Sequence, residues 1–102
     1  MPVHWTINSE AKIFEATCTG IVEADEIHRM LDVLVSWNAL GYRKLFDGSQ
    51  ADTRMGALDI LSIGVRMRSL QGDGTRLGPL AVVIPPDKYP LLSRILGIVA
   101  SP

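Results

Sequence analysis

Cys18 is the one cysteine in a chain of 102 residues, so no internal disulfide can form and the fold must stand on packing alone. A lone thiol also fits a reducing compartment. An excess of charge of one sign is equally absent: 10 basic against 11 acidic residues leave a formal charge of −1, which gives no broad positive field for gathering nucleic-acid phosphates. Long hydrophobic runs are missing too, since the most apolar segment, "LLSRILGIVA" at 91–100, contains Arg94 and is too short to span a bilayer. The start, "MPVHWTINSE", lacks the basic region and unbroken apolar stretch of a signal peptide, and a cytoplasmic location is expected.

Chemistry-bearing residues are also sparse. His28 and Asp32 lie one helical turn apart, but a metal site needs three or four ligands and no further His or Cys lies near them in sequence, so a solvated face is expected and no metal. No spacing of serine, histidine and acid favours a catalytic triad, and no cofactor is expected. "GDGTRLG" precedes a strand, whereas a phosphate loop follows a strand and opens a helix. Cys18 shares a face with Phe14 and Ala16, where a buried thiol is inert.

What is present is a regular alternation of apolar patterns, in a chain that is 47% apolar and therefore able to bury a core as one domain. Val3, Trp5 and Ile7 alternate with polar residues as in a half-buried strand, "NSEA" turns the chain, and Phe14, Ala16 and Cys18 mark a second strand over 12–19 that Gly20 closes. The spacing of Ile27, Met30, Leu31, Leu34 and Val35 predicts an amphipathic helix over 24–40 with Gly41 as its cap. "YRKLF" reads as a short buried strand ending at Asp47.

A second helix is expected over 52–70, and its wide apolar arc implies cover on more than one side. The glycine-rich "QGDGTRLGP" leads into "LAVVI", a continuous apolar run of the kind buried on both faces of a parallel sheet. Asp87 is placed to cap a third helix with Pro90 in its first turn. Trp5 and Trp37 read most simply as core or edge-packing residues. The fold class is α/β: a small mixed sheet, with an N-terminal antiparallel hairpin and parallel strands, and about three crossover helices.

This order of elements, with "GIVEADEIHRMLDVL", "KLFDGSQ" and "LAVVIPPDKYPLLSRILGIVAS", resembles the STAS fold in its SpoIIAA-like branch, over nearly the whole of residues 1–102 as a single domain. The entry to the first helix (Gly20, Val22, Glu26) and the acid closing the central strand (Asp47) carry the likeness. It implies a non-enzymatic regulatory or ligand-binding module, in some relatives compared with lipid-binding Sec14-like domains. The phosphorylated Asp-Ser-Ser-Gly motif of anti-sigma-factor antagonists is absent. Relatives commonly continue into a further strand and terminal helix beyond the third helix.

Two regions follow as candidate sites. The turn Asp47, Ser49, Thr53 and Arg54 lies where ligands of open α/β sheets collect, beside the free amides of the second helix, and Ser49 and Thr53 are its candidate phosphoacceptors. The alternative is structural: "SQAD" fits a capping box in which Ser49 bonds an amide and Asp52 reaches back. The second region is the third helix, where Leu91, Ile95 and Ile98 form a candidate face for a homodimer or for a small apolar, lipid-like ligand held between the second and third helices. A protein partner is the other expectation.

Overall fold

The computed structural model describes residues 2–72 and 77–100. Its elements run β1 (Val3–Asn8), β2 (Ile13–Val22), α1 (Ala24–Ser36), β3 (Arg43–Thr53), α2 (Ala57–Gly72), β4 (Leu80–Val83) and α3 (Tyr89–Ala100), with a 3-10 turn over Pro86–Lys88 leading into α3. The strands form one sheet in the order β1-β2-β3-β4, with β1 antiparallel to β2 and the other pairs parallel. This is the expected α/β class.

Strands β2, β3 and β4 are neighbours in chain order, so right-handed crossovers put both connecting helices on the same face of the sheet. Burial follows that geometry. On the helix-facing side Val3, Phe14, Ala16, Cys18 and Val22 are buried against Met30, Leu31 and Leu34 of α1. On the other side His4, Thr6, Glu15, Thr17, Leu45 and Val83 face outward and are exposed. The expectation that "LAVVI" is buried on both faces is therefore wrong: β4 is an edge strand, and Leu80 and Val83 are exposed.

The hairpin turns at Asn8, whose Oδ1 accepts the Ala11 N–H at 2.9 Å, and Lys12 takes a left-handed φ of 57°. Lys12 thus belongs to the turn, and β2 begins at Ile13. Nor does Gly20 close β2. The strand continues to Val22 because Gly20, Ile21 and Val22 pair with Ala51, Asp52 and Thr53 of β3.

Helix α1 ends earlier than its apolar stripe suggests. Asn38, at φ 53°, supplies the left-handed residue after the helix, with the Asn38 N–H donating to Val35 O and the Ala39 N–H to Leu34 O. That is the paired bonding of a Schellman stop, and asparagine rather than Gly41 provides it. Ala39 and Leu40 are buried immediately beyond. Trp37, expected to pack, is 62% exposed.

Helix α2 starts at Ala57, five residues later than expected. The Gly56 N–H donates to Asp59 Oδ2 at 3.2 Å, and the Ile60 N–H to Gly56 O. Ile60, Ile63 and Gly64 are buried, whereas Leu58, Leu61 and Val65 are exposed, Leu58 at 81%. Cover on two sides, from the core and from α3, thus leaves a third strip of the wide arc bare. Asp87 lies in the 3-10 turn and makes no side-chain cap, while Pro90 sits in the first turn of α3 as expected. Residues 73–76 of the glycine-rich segment lie outside the described residues.

Candidate functional site

Between the helix-facing side of the sheet and the three helices lies an apolar cavity of about 200 Å³. Phe46 and Val82 contribute its sheet wall, Met30 and Leu34 its α1 wall, Ile63 and Met67 its α2 wall, and Leu91, Leu92, Ile95 and Leu96 its α3 wall. Leu80 and Leu96 line it and are also exposed, so the space opens to solvent between β4 and α3. Helix α3 packs against α2, and none of its residues is buried, which is why the space beneath it is not closed.

Three charged residues, Lys44, Asp52 and Lys88, stand among those that line this cavity, whose surface is almost wholly apolar. Lys88 and Asp52 lie on its wall and pair with each other, Nζ to Oδ1 at 2.6 Å, and Lys88 is also 3.6 Å from Asp87. The Lys88 bond holds the Asp52 carboxyl below its usual range, helped by the Thr53 N–H, and the same bond raises Lys88. Lys44 is different: its Nζ donates to Leu40 O at 2.6 Å and to Tyr42 O at 2.9 Å. Among the described residues no carboxylate pairs with it, and burial pushes its pKa down.

The turn expected over 47–53 is strand. Thr17 pairs with Asp47 and Thr19 with Gln50, so β3 carries one extra residue across a bulge and then resumes pairing through Thr53. The Asp47 carboxylate supports the bulge by accepting the Ser49 Oγ–H at 2.7 Å and the Ser49 N–H at 3.0 Å, which hold it below its usual pKa. Gly48 is buried there, and a Cβ on it would lie 3.2 Å from Ile84 Cγ2.

The capping box of Ser49 and Asp52 therefore does not form: Ser49 is bound to Asp47, Asp52 to Lys88, and α2 begins beyond both. Its amides do not flank Asp47. Thr53 Oγ1 donates to Val22 O at 2.8 Å and accepts the Met55 N–H at 3.2 Å, while Arg54 is exposed. Of the α3 residues, Leu91 and Ile95 face the cavity and Ile98 lies against Gly64 of α2, so they do not form one outward face.

Sequence spacing missed a cluster between α1 and α2. His28 Nε2 lies 2.9 Å from Ser62 Oγ, and Arg66 Nη1 donates to His28 O at 2.8 Å while its Nη2 pairs with Asp32. Arg66 Nη1 is also 3.4 Å from His28 Nδ1. A guanidinium only donates, so at this contact Nδ1 can act only as an acceptor. The cluster clamps two helices, and Arg66→Ala should cost about 1 kcal/mol, because its partners are partly exposed. Urea unfolding of R66A, D32A and the double variant checks this: the double should lose little more than R66A alone.

Cys18 sits on the cavity wall, and its thiol is pushed up to about 11, by burial first and then by the Glu26 and Asp47 carboxylates. The thiol should resist iodoacetamide at pH 8 until the chain unfolds. Because the folded pKa lies above the thiol's ordinary value of 9.0, the stability gained by keeping the buried thiol neutral is intact below pH 9. It is lost as pH rises towards 11, by up to about 2 kcal/mol. Chemical denaturation at pH 7 and pH 10.5 should show that alkaline loss in the wild type and less of it in C18A.

Among the described residues no group of three or more His, Cys, Asp or Glu side chains could hold a metal ion, and no helix is long and apolar enough to cross a membrane. Fold and site together define a small α/β domain with a four-strand mixed sheet, three helices on one face and an apolar cavity beneath them. No family model matches the chain, and no curated protein or solved structure matches it significantly.

Proposed function

We propose that this domain is a non-enzymatic carrier or sensor of a small apolar ligand, held in the cavity between the sheet and the helices. The cavity itself carries the reading, since an apolar space of about 200 Å³ lined by aliphatic and methionine side chains is a ready site for hydrocarbon. The resemblance to the STAS fold in its SpoIIAA-like branch supports a binding module over an enzyme. A phosphoregulated turn has less support: a phosphate on Ser49 would face the Asp47 carboxylate, and the Thr53 hydroxyl is already engaged twice.

Native mass spectrometry of gently purified protein tests the proposal. The expected result is an added mass that organic solvent releases, together with enhanced fluorescence of N-phenyl-1-naphthylamine that Met67→Trp abolishes by filling the space. A bare chain that takes up neither native ligand nor dye would end the carrier reading.

A homodimer remains the second proposal, supported by the exposed strip Leu58, Leu61 and Val65 on α2. Sedimentation at tens of micromolar should then show a dimer that Leu61→Glu dissociates, because an apolar contact does not accept an unpaired charge.

A further inference from the structure

We propose that the cavity takes a single-chain carboxylate, its hydrocarbon tail in the apolar space and its head group at Lys44 Nζ; this rests on the cavity being a ligand site. Apolar walls recognise hydrocarbon without direction and say little about which molecule enters. The selective feature is charge. Of the two lysines on the wall, Lys88 is neutralised by Asp52 and Asp87, which leaves Lys44 as a positive charge without a described carboxylate.

Its position follows from the strand. Lys44 alternates with Leu45 and shares the helix-facing side with Phe46, directly beside Leu80 of β4. An ammonium carries three N–H donors. Two of them bond Leu40 O and Tyr42 O, which fixes Nζ in place before any ligand arrives. The third has no described acceptor. The depressed pKa reflects the same burial, and a carboxylate would supply both the missing acceptor and the opposing charge. A neutral alcohol would supply only the acceptor, and an alkylammonium would be repelled.

Displacement of N-phenyl-1-naphthylamine from the full chain at pH 7.5 by decanoate, decanol and decylammonium separates these cases. Wild type should bind decanoate about tenfold more tightly than decanol, and decylammonium most weakly. Lys44→Met, which keeps an unbranched apolar stem, should bring decanoate to the level of decanol, while Lys44→Arg should keep the preference. Equal binding of decanoate and decanol by wild type would overturn the head-group assignment, as would a preference surviving in K44M. The wild-type series decides even if K44M does not fold. Failure of all three amphiphiles and of the dye would overturn the cavity reading itself.

Discussion

Gly78→Ala should unfold a large share of the molecules at temperatures where the wild type is intact. A Cβ on Gly78 would stand 2.2 Å from Gly41 O and 2.6 Å from Tyr42 O, and both are backbone atoms that have no rotamer to change. The Gly78 N–H donates to Leu40 O, and Pro79 O accepts the Lys44 N–H, so the collision would fall where β4 is fastened to the start of β3. Overpacking against a fixed backbone costs about 3 kcal/mol or more, a large fraction of what a domain of this size possesses. A fall in Tm of more than about 10 °C is expected by circular dichroism. Gly97→Ala is the control, since a Cβ there meets nothing within 4 Å and alanine favours the helix. A G78A variant melting within a few degrees of the wild type would contradict the close approach.

The same variant bears on the cavity. Leu40 and Tyr42 present the carbonyls that hold Lys44 Nζ, and the strand Gly78 leads into supplies Leu80 and Val82 to the wall. If any folded G78A remains, its dye binding should fall with its stability, because one contact organises both the strand pairing and that end of the cavity.

Much of this architecture was written locally. The alternation through Phe14, Ala16 and Cys18 and the spacing of Met30, Leu31 and Leu34 each identify a buried face, and those faces meet as the pattern requires. "DGSQADT" was unreadable for a physical reason. Its residues favour turns and caps, and only pairing with Thr19–Val22, far away in sequence, makes them a strand. The stop of α1 was ambiguous because Asn38 and Gly41 both tolerate a left-handed conformation, and the paired bonds to Val35 O and Leu34 O select the earlier one.

The cavity was legible only in part. Apolar faces on the second and third helices pointed to a space between them, but its sheet and α1 walls depend on how far α3 stands from the sheet, a distance that residue periodicity does not encode. Lys44 carries a signal in the sequence itself: a lysine inside "YRKLF", on the same side of the strand as Phe46, is a charge on a face meant for the core.

Gly64→Val should separate α3 from α2 and with it dismantle one wall of the cavity. The two helices approach so closely that a Cβ on Gly64 would lie 2.8 Å from Ile98 Cβ and 2.9 Å from its Cγ2. Valine adds two methyl groups beyond that atom, so the helices must move apart, at a cost of about 2 kcal/mol or more. Helix α3 has no fully buried residue and packs principally on α2, so it would shift rather than the core. Leu91, Leu92, Ile95 and Leu96 would move with it, and loss of dye binding should exceed the fraction of protein unfolded. Shortening the other side of the contact tests the cause directly: Ile98→Ala removes Cγ2 and Cδ1 but keeps the Cβ, so in Gly64→Ala/Ile98→Ala the clash is reduced to the Cβ–Cβ contact, and the double variant should be more stable than the sum of the single losses allows. Strict additivity in that cycle would mean that the Gly64 and Ile98 contact does not set the position of α3, and the cavity would then need some other support on that side.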